Sequence, residues 1–308
     1  MVLRAGVLML AAFAFTLFSA APAAAQLGDQ LSAYSGANAE GYLGPLADAL
    51  GTSLNTGIFR TAHIPRMGPL ARLEIQIMGV FFSDDDRTFN AVTEAGFSPE
   101  QRVSAPTVVG SGTAVTVEGD GGTKFSFPGG FDLNSFALAV PQLRIGAVMG
   151  TELVVRYFAA NVGDDDLGKI NLFGIGARHS ISQHFGPVLP VDVAAGFFWQ
   201  QLKLGEDDQG NDIIVSSALS FGVQASTEIV RFIVPYGGLS YDTHSTEVTY
   251  ESDASDSEDT VNLDFEKKGT MHLTLGVMFD LPVFKAFAEY NVASQNSVAF
   301  GIGFGFGG

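Results

Sequence analysis

The sequence predicts an all-β fold: an antiparallel transmembrane β-barrel preceded by a short N-terminal helical segment. Strand-length stretches alternate apolar with small or polar residues, which places one kind of side chain on each face of a strand. The connections alternate between short turns and long acidic loops, as in barrels that cross a membrane. The 37 glycines suit lumen and turn positions, and the 26 phenylalanines suit lipid-facing positions.

The last predicted strand, residues 296–306, shows the alternation most clearly. Its small face consists of Ser297, Ala299, Gly301, Gly303 and Gly305. Its apolar face consists of Val298, Phe300, Ile302, Phe304 and Phe306. In a barrel the apolar face contacts lipid. The bare face lets another group approach the wall from the lumen, and the N-terminal segment is our candidate for that group.

The first 25 residues have the organisation of a secretory signal peptide. Arg4 precedes an apolar run over residues 5–18, and the three alanines at 23–25 offer a cleavage site. The run is too short to span a bilayer as a helix. We therefore predict three regions: a signal peptide at 1–25, an N-terminal helical or plug segment at 26–66, and an outer-membrane β-barrel at 67–308.

Composition and charge exclude several classes of protein. No run of 18 or more apolar residues follows the signal region, so transmembrane helices are not predicted. The chain has no cysteine, which argues against a disulfide-stapled secreted module. Its net charge of −17 argues against nucleic acid as a partner, because phosphate binding needs clustered lysine and arginine.

Residues 26–66 lack the two-residue alternation and carry apolar residues at helical spacings. Asn38 is a candidate N-cap and Gly51 a candidate helix stop, so we expect two short helices ahead of the barrel. Two interpretations stay open at this point. The segment either covers apolar surface or forms a plug that gates a pore.

The order of the loops predicts the topology. Acidic loops lie at 164–166, 206–212 and 251–259, and short turns lie between them at 184–187 and 230–235. All long loops therefore emerge on one side of the barrel and all short turns on the other.

The strand count depends on residues 87–135, which glycine and proline divide into short β-prone pieces. We interpret this region as a long external loop with short strands, and the alternative is one additional barrel hairpin. The prediction is ten to twelve strands, an even number, and at most fourteen.

No catalytic constellation is evident, so neither an enzyme nor a cofactor is predicted. The five histidines are scattered along the chain, although a Ser/His hydrolase assembled across the fold stays open. The aspartate clusters do not match a calcium-binding loop motif. We interpret them as solvated external loops, with weak bridging of divalent cations as the alternative.

The alternation places a set of charged and polar side chains on the lumen side of the wall. These lumen-facing candidates are Arg72, Glu74, Gln76, Arg144, Glu152, Arg156, Arg178, Asp192, Gln224, Glu228, His272, Lys285 and Glu289. They form either a network of paired charges that seals a narrow interior or a wet path for small solutes.

Five short motifs resemble those of a family of uncharacterised outer-membrane barrels, distantly similar to the long-chain fatty-acid transporter group. They are A-N-A-E-G-Y-L-G-P-L at 37–46, L-N-T-G-I-F at 54–59, P-Q-L-R-I-G at 141–146, G-T-E-L-V-V-R-Y at 150–157 and L-P-V-D-V at 189–193. The resemblance implies a barrel preceded by a helical segment, and it implies no substrate.

The leading functional hypothesis is passive transport of small or hydrophobic molecules through a lumen gated by the N-terminal segment. The alternative is a closed structural or surface-interaction barrel with acidic extracellular loops, and a soluble secreted β-protein is the third. The expected location is the outer membrane of a Gram-negative-type bacterium. The expected partners are outer-membrane lipid, lipopolysaccharide, the barrel-assembly machinery and an unidentified small solute.

Overall fold

A closed barrel of ten antiparallel strands forms the body of the protein. The computed structural model describes Tyr34 and residues 36–161, 169–186, 189–205, 212–252 and 259–306. In chain order the elements are α1 (Gly36–Leu54), β1 (Met67–Phe81), β2 (Thr88–Val92), β3 (Arg102–Pro106), β4 (Val115–Glu118), β5 (Lys124–Phe127), β6 (Ser135–Val148), β7 (Thr151–Asn161), β8 (Lys169–Ser180), β9 (Asp192–Leu204), β10 (Ile214–Ser226), β11 (Ile233–Ser252), β12 (Asp259–Asp280), β13 (Phe284–Val292) and β14 (Ser297–Phe306). The predicted signal peptide lies outside the described residues.

Strand β1 closes the barrel. It pairs with β14 on one side, where Ile77 lies opposite Phe300, and with β6 on the other, where Ile77 lies opposite Ala139. Strands β6 to β14 pair with their neighbours in chain order. The predicted antiparallel barrel is confirmed, at the lower limit of the predicted strand number.

Residues 87–135 form two small hairpins outside the barrel wall. Strand β2 pairs with β3, and β4 pairs with β5. These strands are four or five residues long, whereas a strand that crosses a bilayer needs about 9–11 residues. The interpretation as a long external loop with short strands is therefore correct, and the alternative of an additional barrel hairpin is wrong.

The outer surface of the barrel is apolar. Large side chains at alternate positions point outward: Leu73, Tyr157, Phe221, Phe300 and Phe304 each expose between 52% and 59% of their surface. An apolar exterior of this kind is typical of contact with lipid. The residues between them, such as Glu74 and Arg156, are buried inside.

In the described part of residues 26–66, which is Tyr34 and residues 36–66, one helix, α1, is present where the sequence predicts two short helices. Gly51 lies inside it and does not end it. A Cβ at this position would collide with the His244 ring, so the glycine allows close packing against β11. Tertiary contacts override the local stop signal. No helix in the described residues is long and apolar enough to cross a membrane.

The glycines of β14 make room for side chains of the neighbouring strands. A Cβ at Gly301 would collide with the Phe287 ring, and one at Gly303 would lie 2.8 Å from the Glu74 Cγ. Phe287 and Glu74 both contact Arg60, whose guanidinium carbon lies 3.4 Å from the Phe287 ring centroid. At Gly301 and Gly303 the side chains of neighbouring strands therefore lie between β14 and the N-terminal segment, whereas the sequence predicts direct contact.

Candidate functional site: the lumen and the segment inside it

Residues 36–66 run through the inside of the barrel from one mouth to the other. At the long-loop end the Asn38 amide nitrogen donates to the Val92 carbonyl at 2.7 Å, and the Val92 amide donates back to the Asn38 side chain at 3.0 Å. After α1 the chain continues without regular structure. At the short-turn end the Gly150 amide donates to the Arg66 carbonyl at 2.9 Å. We call residues 36–66 the lumen segment.

An aromatic cluster closes the long-loop mouth. The Tyr34 ring lies 4.9 Å from the Tyr42 ring and 6.4 Å from the Phe127 ring, centroid to centroid. The Tyr42 hydroxyl donates to the Gly129 carbonyl at 3.1 Å. Burial raises the pKa of both tyrosine hydroxyls well above the usual value, so both stay neutral. The cluster joins α1 to the external hairpins, which cover this end of the lumen.

Five buried charges form an alternating chain that links the lumen segment to the wall. Arg60 of the segment contacts Glu74 at 2.8 Å, and Glu74 contacts Arg144 at 3.2 Å. Glu152 then lies 2.8 Å from both Arg144 and Arg178. Each of these side chains is at most 3% exposed. Buried charges are costly unless opposite charges and hydrogen bonds compensate them, and here each has at least one opposite neighbour.

Two of these wall arginines also bind the backbone of the lumen segment. Arg144 donates to the Ile58 carbonyl at 2.8 Å, and Arg178 donates to the Thr61 carbonyl. The amide oxygen of Gln224 accepts from Arg178 at 2.9 Å when it faces the guanidinium. The wall thus recognises the main chain of the segment.

Arg156, on β7, forms hydrogen bonds to the backbone at the C-terminal end of α1. Its guanidinium donates to the carbonyls of Leu54, Thr56 and Gly57 at 3.2, 3.0 and 2.9 Å. Its other two hydrogen bonds go to amide oxygens of wall glutamines at 2.8 and 3.1 Å. The last carbonyls of a helix carry partial negative charge, so a cation is favourable there.

The opposite side of the wall contacts the same part of the segment. The Gly57 amide and the Tyr236 hydroxyl each donate to Glu289 at 2.9 Å. The hydroxyl oxygens of Thr56 and Ser297 lie 2.8 Å apart. Polar groups from both sides therefore clamp the segment just after α1.

A second polar layer faces the C-terminal half of α1. Asp242 accepts from the Ser220 hydroxyl at 2.6 Å and contacts His272 Nδ1 at 2.5 Å. His244 Nε2 lies 3.6 Å from an Asp48 carboxylate oxygen on α1. This layer resembles a hydrolase triad only in its residue types, because the serine hydroxyl hydrogen-bonds the carboxylate and not the imidazole.

The short-turn mouth contains a cavity of about 360 Å³. Its lining includes Thr61 and His63 of the lumen segment together with Asp192, Glu228 and Lys285 of the wall and turns. His63 Nδ1 lies 3.1 Å from Asp192, and both side chains are about half exposed. The lumen segment therefore forms part of the surface that a solute would meet at this mouth.

The predicted lumen residues occupy two kinds of position. The buried interior contains Arg72, Glu74, Gln76, Arg144, Glu152, Arg156, Arg178, Gln224, His272, Lys285 and Glu289. Asp192 lies at the rim and is partly exposed. Glu228 is exposed in the turn after β10, which ends at Ser226, so its placement on the inner wall is wrong.

Several residues of the site are absent from the sequence prediction. The two glutamines that bind Arg156 are Gln142 and Gln200. They occupy inward alternate positions on β6 and β9, so the alternation that identified their neighbours would also have found them. Arg60 lies in a stretch without periodicity and leaves no such signal.

The described residues contain no group of three or more His, Asp or Glu side chains that could hold a metal ion. The acidic loop at 164–166 lies outside them, as do residues 206–211 and 253–258 of the other two acidic loops. Asp84–Asp86 forms a single 3₁₀ turn in which the Asp86 carboxylate accepts from the Ser83 amide and hydroxyl. That local hydrogen bonding accounts for this cluster without a cation.

We expect Gly222→Val to destabilise the protein by about 1–3 kcal/mol, the typical cost of overpacking. A Cβ at Gly222 would lie 2.7 Å from the Phe59 ring of the lumen segment and 2.9 Å from the Ser240 Cβ. Gly237→Val is the control, because its Cβ would have no neighbour nearer than 3.5 Å. Urea unfolding of the refolded barrels measures both. Equal losses would show that Phe59 does not pack tightly against the wall.

A family model matches residues 4–306, and its description is "Family of unknown function (DUF6588)". The chain belongs to this family. Membership of an uncharacterised family, which the five motifs predict, is thereby confirmed. A search of curated proteins finds no match.

Solved structures that match the chain include an outer-membrane protein, an autotransporter domain and a transporter. OmpT of Vibrio cholerae is 10% identical, over 78% of this chain and 97% of that one, with a TM-score of 0.26. The translocator domain of the autotransporter NalP from Neisseria meningitidis is 11% identical, over 87% and 99%, with a TM-score of 0.33. The toluene transporter TbuX of Ralstonia pickettii is 8% identical, over 80% and 92%, with a TM-score of 0.27.

Proposed function

We propose that this protein is an outer-membrane transport barrel whose lumen is closed by the lumen segment. Small solutes pass by diffusion when the segment moves away from the wall. No chemical step is part of the proposal. The apolar exterior contacts outer-membrane lipid and lipopolysaccharide, and the barrel-assembly machinery inserts the chain after its export.

The polar contact between the segment and the wall carries this proposal. Arg144, Arg156 and Arg178 all donate to backbone carbonyls of the segment. Water can take over such hydrogen bonds, whereas apolar surface exposed by a displaced plug would remain costly. Around residues 54–61 the wall therefore tolerates a hydrated open state.

The space that the segment occupies is wide enough for a path. An α-helix with its side chains is about 10–12 Å across. Because α1 lies inside the wall, its displacement would open a channel of comparable width at the long-loop end. At the other end the cavity beside Thr61 and His63 already reaches the segment.

One observation favours the closed structural barrel as the second candidate. The external hairpins and the aromatic cluster cover the long-loop mouth, and Tyr42 and Phe127 are fully buried there. A path through the lumen therefore requires movement at this mouth as well as inside the barrel. In the second candidate neither movement occurs.

A disulfide between the segment and the wall tests the proposal. Thr56→Cys with Ser297→Cys replaces two hydroxyl oxygens that lie 2.8 Å apart, and the chain has no other cysteine. We expect the reduced double variant to conduct in a planar bilayer. The oxidised form should not conduct, because the segment is then fixed to β14.

Ser216→Cys with Thr246→Cys is the matched control. These hydroxyl oxygens lie 2.9 Å apart on β10 and β11, so their disulfide joins two wall strands and leaves the segment free. Oxidation of the control should leave conductance unchanged. Absence of current in every form would refute transport and support the closed barrel. Current that survives oxidation of the segment disulfide would show that the path avoids the segment.

A further inference from the structure

We propose that Arg156 is an anion-binding site in the path, and that the solutes which pass are small anions. This inference rests on the proposed function. Carboxylate, phosphate and halide share the chemistry that a guanidinium recognises. In the closed state backbone carbonyls of the lumen segment take the place of such an anion.

Arg156 differs from the other wall arginines in its partners. All five of its hydrogen bonds go to neutral carbonyl or amide oxygens. Three of those oxygens belong to the lumen segment. When the segment leaves, the guanidinium keeps its hydrogen bonds to the two glutamine oxygens and loses the three to the segment. The N–H groups that made those three hydrogen bonds then face the lumen. A cation without a carboxylate partner then faces the path.

The neighbouring arginines keep a negative partner in the open state. Arg144 and Arg178 both retain Glu152 at 2.8 Å when their contacts to the segment are lost. Arg144 also retains Glu74 at 3.2 Å. The charges of Arg144 and Arg178 therefore stay largely neutralised in the open state. Of these three arginines, Arg156 therefore gains most from an incoming anion.

The adjoining strands also favour anions by charge. Strands β1, β6, β7 and β8 are neighbours in the barrel, and their buried inner face carries four arginines and two glutamates. Those arginines are Arg72, Arg144, Arg156 and Arg178, and the glutamates are Glu74 and Glu152. Positive side chains lining a pore select anions.

The carboxylates on the other side of the lumen have donors of their own on the wall. Glu289 keeps the Tyr236 hydroxyl at 2.9 Å and the Asn291 amide at 3.2 Å. Asp242 keeps Ser220 and His272. The oxygens of these acids are occupied by wall groups, so they are poor sites for a passing cation.

Ion selectivity of the full-length protein tests the inference. The reversal potential is measured in a planar bilayer under a potassium chloride gradient. A unit positive charge ~4 Å from a water-filled path favours an anion about fivefold and disfavours a cation about fivefold, so we expect chloride to pass about 25-fold more readily than potassium. Arg156→Gln should reduce this preference, and Arg156→Lys should keep it because the charge remains.

Arg102→Gln is the control, since Arg102 is exposed on a hairpin outside the lumen. It should leave the permeability ratio unchanged. Heat-resistant migration on gels shows that each variant is a folded barrel. A wild-type channel that prefers potassium or is unselective overturns this inference and leaves the transport proposal intact. An Arg156→Gln channel with the selectivity of the wild type does the same. Absence of current overturns both.

Discussion

Replacing Glu74 with glutamine is expected to lower the free energy of unfolding by about 3–5 kcal/mol, the usual cost of breaking a buried ion pair on one side. Glu74 lies between Arg60 and Arg144 at 2.8 and 3.2 Å. After the substitution Arg144 still has Glu152, but Arg60 loses its closest carboxylate. Urea unfolding of the refolded barrel measures the loss.

A double-mutant cycle separates the ion pair from simple loss of packing. Removing both partners leaves no isolated buried cation, so Arg60→Gln with Glu74→Gln should cost less than the sum of the two single changes. Glu118→Gln is the surface control: its partner Lys124 lies 3.3 Å away, and both side chains are more than half exposed. We expect a change of about 0–1 kcal/mol there. Strict additivity in the cycle would show that Arg60 does not depend on Glu74.

Replacing Tyr42 with alanine is expected to cost about 3–5 kcal/mol, as truncation of a buried aromatic side chain usually does. Tyr42 is fully buried and packs on the Tyr34 ring at 4.9 Å. The cavity would also weaken the contact between α1 and the external hairpins. We therefore expect faster proteolysis within residues 88–127 while the barrel stays folded.

Two matched variants resolve the contributions of Tyr42. Tyr42→Phe removes only the hydroxyl that donates to Gly129, and about 1 kcal/mol is expected. Tyr157→Ala truncates an outward-facing tyrosine on β7, which is 59% exposed, and should leave the hairpins as resistant as in the wild type. Equal proteolysis of Tyr42→Ala and the wild type would show that the hairpins hold together without α1.

Much of the wall could be predicted because the direction of a strand side chain is a local property. The alternation in residues 70–81 and 296–306 separates lumen from lipid without knowledge of any partner strand. The same pattern placed Glu74, Arg144, Glu152, Arg156 and Arg178 on the inner face. Loop lengths then fixed the two sides of the barrel.

The contacts of those residues were not predictable in the same way. Glu74 and Arg144 lie 70 positions apart and meet because β1 pairs with β6 in one register. Arg60 lies in a stretch without regular structure, so no periodicity indicates its direction. Gly51 reads locally as a helix stop, and only the packing of His244 against it explains why α1 continues.

The sequence by itself therefore determined a transmembrane barrel, its topology and the polar inner face, because alternation and loop length are encoded residue by residue. Only the tertiary structure decided that the lumen segment fills the barrel and which groups hold it there. Those contacts join residues that are distant in the chain, and their partners depend on strand register and on the path of a segment without periodicity.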